Sequence, residues 1–149
     1  MHLTATVSQA KATAPFTILI VDDNRDFVEF LKLLLSHDGF SVLSAFNGPD
    51  GLEHARDHAN VDLVILDVMM PKMDGLTACR EFKRMRPSLP VILLTAKDDI
   101  STRAKAIALG VCEFLAKPVN IDDLLTRVRT QCQISQWDKE LDVAISSKA

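Results

Sequence analysis

The sequence predicts a doubly wound α/β domain in which five parallel strands alternate with five helices. Three observations carry this. Short β-rich runs alternate strictly with helical stripes between residues 16 and 132. The first, third and fourth runs, "FTILIV", "VDLVIL" and "PVILLT", are apolar almost throughout, so both faces of those strands are expected to be buried. The chain has 149 residues, 48% of them apolar, enough for one domain with a hydrophobic core. A parallel sheet buried on both faces needs helices on both faces.

The elements follow in order. Residues 1–14, small and polar without periodicity, are expected to form a flexible arm ending at Pro15. "FTILIV" (16–21) is the first strand. In "NRDFVEFLKLLLSHDG", Phe27, Phe30, Leu31, Leu34 and Leu35 make a helical stripe that Gly39 stops. "FSVLSA" is the second strand, and "GPDGLEHARDHA" is a short helix with Pro49 in its first turn. "VDLVIL" is the third strand. The helix "DGLTACREFKRMRP" spaces Leu76, Cys79, Phe82 and Met85 three apart on one face. "PVILLT" precedes the helix "DDISTRAKAIALG", acidic at its start and closed by Gly110. "CEFLA" is the fifth strand. The helix "NIDDLLTRVRTQC" starts at an Asn120 cap and turns Ile121, Leu124, Leu125 and Val128 inward. The folded unit is therefore expected over residues 15–133. In the tail, 134–149, Ile134, Trp137, Leu141 and Ile145 share one helical face. That face is expected to fold back on the domain, to lead into an output domain, or to support a weak homodimer.

Composition removes several function classes. A net charge of −3 gives no basic footprint for nucleic acid and no attraction to an anionic membrane. No apolar stretch reaches the roughly 18 residues of a membrane span, and the first residues lack the apolar centre of a signal peptide. A cytoplasmic location is the expectation. Cys79, Cys112 and Cys132 have no CxxC spacing and are read as reduced thiols in core positions. His54 and His58 stand four apart on a helix but lack a third ligand. Lys72, Arg80, Lys83, Arg84 and Arg86 are read as a solvated face.

In sheets of this kind, sites form beyond the carboxyl ends of the strands, where strand order reverses. Strand 1 ends in Asp22-Asp23, strand 3 in Asp67, strand 4 in Thr95 and strand 5 in Lys117-Pro118. Carboxylates that close together repel, so one must protonate unless a cation sits among them. A hard divalent ion such as Mg²⁺ solves this with few carboxylates, a carbonyl and waters. One Asp67 oxygen is then free to act as a nucleophile. A phosphoryl group arriving in line would place its charge on the metal, Lys117 and the Thr95 hydroxyl.

These motifs resemble the receiver domain of two-component response regulators, whose fold is flavodoxin-like, (βα)5. The matching residues are "IVDDNRD", "LDVMMPKMDG", "LLTAKD" and "EFLAKPV", in order, within residues 15–133. The resemblance implies a phosphoacceptor rather than an enzyme with a separate substrate. A sensor histidine kinase or phosphotransfer protein would phosphorylate Asp67, and a downstream protein or output domain would read a conformational switch. It also implies that Asp23 is the main Mg²⁺ ligand, that Asp22 binds through water, and that the Met69 carbonyl completes the site. Thr95 and Lys117 would hold the phosphoryl oxygens, the bond before Pro118 would be cis, and Phe114 would be the switch aromatic. Met69 and Lys97, which flank the water's path in the family, cannot orient water, implying a slowly hydrolysed phosphoaspartate.

Rival readings fail on particular residues. Haloacid-dehalogenase-type phosphatases need a second Asp two residues after the nucleophile; that position is Met69 here. Nucleotide-binding sheets need a Gly-rich loop where this chain has "DDNRD". A pseudo-receiver that only binds partners usually lacks an acidic residue or the lysine, and none is missing here. No helix-turn-helix, nuclease, cyclase or kinase segment follows residue 133, so the expectation is either a single-domain regulator or one severed from its output domain.

Overall fold

The computed structural model describes residues 15–96, 99–111 and 113–148. The expected arm over 1–14, Lys97 and Cys112 lie outside them. The elements are β1 (Thr17–Val21), α1 (Arg25–His37), β2 (Ser41–Ala45), α2 (Gly48–Asp57), β3 (Val61–Asp67), α3 (Gly75–Met85), β4 (Val91–Ala96), α4 (Ile100–Ala108), β5 (Glu113–Lys117) and α5 (Ile121–Lys148). All neighbouring strands pair in parallel, in the order β2-β1-β3-β4-β5. The order reverses between β1 and β3, which puts the switch point beside Asp22 and Asp67.

Each helix starts on a short polar cap. Asn24, Asn47, Asp74 and Asp99 accept from the N–H groups of Phe27, Asp50, Thr77 and Thr102. Asn120 does the same for Asp123. These caps satisfy first-turn donors that have no partner within the helix, so the chain can turn sharply from strand to helix.

The side chains of the sheet divide between two cores. On one face, Leu19, Val21, Val64, Leu66 and Leu93 pack with Leu52 and Ala55 of α2, Ala78, Cys79 and Phe82 of α3, and Ala106 of α4. On the other, Ile18, Ile20, Leu63, Ile65, Ile92 and Leu94 pack with Val28, Leu31 and Leu35 of α1 and Leu124 and Val128 of α5. Alternation along each strand assigns the faces. Burying side chains of this size stabilises by about 1.5–3 kcal/mol each, and that holds the strand ends in place.

Several boundaries differ from the sequence expectation. β3 runs one residue further and includes Asp67, which lies beside Leu94. The ladder continues because the Val68 N–H donates to the Leu94 carbonyl at 3.0 Å. β4 likewise includes Ala96, and β5 is shifted onto Glu113–Lys117. At the start of β3 the register to β1 slips, and Asp62 turns its carboxylate onto the Thr17 N–H at 2.8 Å. α5 continues without a break from Ile121 through Lys148, across the expected boundary at 133. Residues 121–148 contain neither Gly nor Pro, so nothing local stops it.

Gly75 ties α3 to the end of β3. Its N–H donates to the Val68 carbonyl at 2.8 Å. A Cβ there would lie 2.4 Å from Val68 Cα and 2.5 Å from the Asp67 carbonyl oxygen, both backbone atoms that cannot swing aside. Gly75→Ala is expected to cost roughly 2–4 kcal/mol by forcing the helix start away from the strand. Urea denaturation measures it; a loss under about 0.5 kcal/mol would show that the contact is not tight.

Candidate functional site

Four strand ends build the site. Immediately after β1, the Asp22 N–H donates to the Ala45 carbonyl at 3.2 Å, which holds the buried carboxylate at the sheet edge. Asp22 Oδ1 accepts the Asn24 N–H at 2.9 Å, and Asn24 then caps α1. Asp23, next in the chain, is exposed. Asp67 closes β3 with 2% of its surface exposed, and its Oδ1 accepts the Met69 N–H at 3.2 Å. Thr95 in β4 is buried, and its hydroxyl has no hydrogen-bond partner among the described residues.

Lys117 closes β5, and a cis bond to Pro118 follows it. β4 lies between β5 and β3, so its ammonium must cross about two strand spacings, roughly 10 Å. The long stem does this. Lys117 Nζ stands 3.1 Å from Asp67 Oδ1 and 3.4 Å from Asp22 Oδ2. Asp22, Asp23 and Asp67 each offer an oxygen within 4.8 Å of the others.

The charges do not balance. Three carboxylates face one ammonium. At that spacing each like-charged pair repels by about 3 kcal/mol at an effective dielectric of ~20. Burial, and next the Asp22 carboxylate, push the Asp67 pKa up to about 6; Lys117 and the Met69 N–H pull the other way without cancelling them. Burial works to lower the Lys117 pKa, but Asp22 and Asp67 outweigh it and hold it above the usual lysine value, so the ammonium stays charged. The donors are carboxylate oxygens in excess of cation, with an unsatisfied hydroxyl nearby. This set fits a hard divalent ion.

The fold thus brings Asp22, Asp23, Asp67 and Lys117 together at one edge. Thr95 follows Leu94, the neighbour of Asp67 in the ladder. Met69 exposes 74% of its surface, and its N–H is committed to Asp67. Phe114 stands apart, beside Leu93 and half-buried against the core under α2, α3 and α4, with the Arg103 guanidinium 5.9 Å from its ring centre. The sequence reading gave no role to Asn24 or Gly75. Asn24 stood in the sequence only as the first residue of "NRDFVEFLKLLLSHDG", and Asp74-Gly75 only as the start of "DGLTACREFKRMRP". The His54 and His58 rings lie 5.9 Å apart. Among the described residues only Asp22, Asp23 and Asp67 form a group able to hold a metal. Within the basic cluster, Arg84 pairs with Glu81 on an exposed face and Lys83 donates to the Leu89 carbonyl.

Comparison with known proteins gives one result. The family described as "Response regulator receiver domain" matches residues 18–129. The "Response regulator ArlR" of Staphylococcus aureus (strain USA300) is 39% identical over 112 residues, 75% of this chain and 50% of that protein. The chain thus spans about half the length of the curated relatives it matches. A response regulator receiver domain protein from Clostridium thermocellum superposes with a TM-score of 0.77 at 32% identity, covering 82% of this chain and 98% of that one. The CheX-CheY-BeF3-Mg+2 complex from Borrelia burgdorferi contains a chain that superposes at 0.73 with 30% identity, over 78% and 88%.

The electrostatics predict a pH-dependent gain from neutralising Asp67. Its folded pKa lies above the unfolded value of 3.8, so between about 4 and about 6 the native state holds more protons. Stability therefore falls as pH rises through that window, and the full penalty remains above it. Asp67→Asn escapes it. In metal-free buffer the variant is expected to be ~1–3 kcal/mol more stable than the wild type at pH 7.5, and about equal at pH 4. Urea melts at both pH values check this; an equal gain at both would point to packing instead of charge.

Proposed function

The chain belongs to the response regulator receiver domain family, and we propose that Asp67 is the carboxylate through which it accepts a phosphoryl group. The observation that carries this is the buried Asp67 carboxylate, paired with Lys117 and crowded by Asp22, beside an unpartnered Thr95 hydroxyl. An Asp67 oxygen attacks phosphorus and forms an acyl phosphate. The bond from phosphorus to the donor nitrogen of a phosphohistidine breaks, and that nitrogen keeps the electron pair and takes up a proton. Mg²⁺, held by Asp22, Asp23, Asp67 and the Met69 carbonyl, would neutralise charge on the phosphoryl oxygens. The Lys117 ammonium supplies a second positive charge at the atom that reacts, and the Thr95 hydroxyl donates to a phosphoryl oxygen. Exclusion of water from the buried edge strengthens both contacts.

The donor in this reading is a sensor histidine kinase or a phosphotransfer protein. A groove of about 370 Å³ lined by Phe27, Phe30, Pro118 and Ile121 opens beside Lys117 and supports docking of a protein there. The chain acts as a signalling phosphoacceptor that assists its own phosphorylation and dephosphorylation, with no separate substrate to turn over. Its reader is a downstream protein or output domain. No helix among the described residues is long and apolar enough to cross a membrane, and the reading places the chain in the cytoplasm with its kinase. Thr95 and Phe114 form the switch: Thr95 moves toward the phosphoryl group and vacates space into which the Phe114 ring turns. Met69 sets lifetime, since its apolar side chain cannot orient an attacking water.

With Mg²⁺ and acetyl phosphate, intact-protein mass spectrometry is expected to show one added phosphoryl group, absent in Asp67→Asn. Wild-type labelling of that variant would refute the assignment. Lys117→Ala should keep Mg²⁺ affinity within about threefold while slowing phosphorylation at least tenfold, because it removes a charge from the transition state but none of the metal's ligands. Parallel loss of both would contradict the separate roles. Phosphoaspartate in the wild type should outlast that in Met69→Asn by at least threefold; equal lifetimes would remove Met69 from the hydrolysis step.

A further inference from the structure

A second cleft lies at the far end of the sheet from Asp67. Its volume is about 410 Å³, and it sits between the end of α3, the turn into β4 and the last turns of α5. Asp62, near the start of β3, borders it and stands roughly 17 Å along the strand from Asp67. The α3 side is fixed in place. Arg86 is the C-cap of α3, and its carbonyl accepts the Leu89 N–H at 2.9 Å. Lys83, one turn earlier, donates to the Leu89 carbonyl at 2.9 Å, and Leu89 itself is buried. The slip in register at the start of β3 puts the Asp62 carboxylate on the Thr17 N–H. Opposite them, Gln131, Ser135, Asp138 and Asp142 stand three or four apart, so one face of α5 makes the other wall.

The charges around the cleft are sorted and left unpaired. Lys83 and Arg86 lie on the α3 side, and Asp138 and Asp142 lie on the α5 side. None of the four has an ion-pair partner among the described residues. Lys139 approaches Asp62 at 3.9 Å, beyond hydrogen-bond length. Arg86 Nη1 is buried and has no hydrogen-bond partner among the described residues. A guanidinium nitrogen shut away from water without an acceptor is costly, which favours an acceptor brought in from outside.

We propose that this cleft binds a small zwitterion. Its carboxylate or phosphate group accepts from Arg86 and Lys83, and its ammonium group lies against Asp138 and Asp142. A plain anion would face two carboxylates, and a plain cation would face Lys83 and Arg86. A molecule with both charges meets both walls. The volume suits a molecule of amino-acid size, with Leu89, Pro90 and Ile134 against its stem. Once bound, it ties the end of α5 to α3. The site shares no residue with the edge at Asp67 and does not depend on phosphoryl transfer there.

Nuclear magnetic resonance of the isotope-labelled full chain tests this with β-alanine, γ-aminobutyrate, ε-aminocaproate and phosphoethanolamine. These probes differ in the anion and in its distance from the ammonium. Butyrate and butylammonium are the single-charge controls. At least one zwitterion is expected to shift the amide signals of Leu89, Ser135 and Asp138 while those of Asp22 and Asp67 stay in place. It should bind about tenfold more tightly than either control. A best fit to phosphoethanolamine or to an amino acid names the anion, and either supports the proposal. Arg86→Gln should weaken that binding about fivefold or more, and so should the pair Asp138→Asn and Asp142→Asn. Both aspartates are exposed, so the paired variant leaves the core untouched. Phosphorylation by acetyl phosphate should not change in either variant. Silence of every zwitterion up to about 20 mM overturns the proposal. Equal binding of butyrate overturns it too, because a simple anion site would explain that. Zwitterion binding that survives in both variants lies elsewhere and also overturns it.

Discussion

The Lys117 ammonium, set between Asp67 at 3.1 Å and Asp22 at 3.4 Å, is the contact on which the site's arrangement depends. Two buried carboxylates on adjacent strands would otherwise drive the edge of the sheet apart or force a proton onto one of them. Lys117 comes from β5, beyond β4, so the pairing holds only if the ends of β1, β3 and β4 keep their places beside it. One cation does not neutralise the cluster. The site is left short of positive charge, and Asp67 is left with a raised pKa. That imbalance fits the divalent ion and the phosphoryl group proposed for this edge.

The two cores serve this edge. Alternate residues of β1, β3 and β4 are anchored in opposite hydrophobic layers, so neither face of the sheet can shift independently. The caps at Asn24, Asn47, Asp99 and Asn120 then turn the chain into a helix shortly after β1, β2, β4 and β5. After β3 the connection is longer, and Gly75 brings it back onto the backbone of Asp67 and Val68. Packing energy spent far from the site thus appears at the site as fixed distances between charges.

α4 is held differently. Ala106 is its one fully buried side chain, while Ile100 and Ile107 are largely exposed. It meets β5 through Arg103 over the Phe114 ring. An element so lightly anchored can be displaced at small cost, which fits the switch proposed for Thr95 and Phe114. The strands that hold Asp67 and Thr95 are well packed, and α4 is not.

The alternation of strands and helices, the burial of β1, β3 and β4 on both faces, and the polar residues at the strand ends could all be read from the sequence. They depend on local periodicity and on the direct link between an apolar run and a strand. The carboxylates at 22, 23 and 67, Thr95 and Lys117 stood out because a polar group at the end of an apolar run is costly to bury and therefore conspicuous. Tertiary structure decided the rest. Strand order brought Lys117 across β4 to Asp67 and Asp22, a relation between residues fifty and ninety-five positions apart that no local pattern encodes. Burial from both cores set the Asp67 pKa. The closeness of α3 to β3 made Gly75 a packing residue where the sequence showed only the start of a helix. The apolar spacing along the end of α5 was visible in the sequence, but only the helix's path past the sheet left Trp137, Leu141 and Ile145 exposed while Ile134 borders a cleft of the domain.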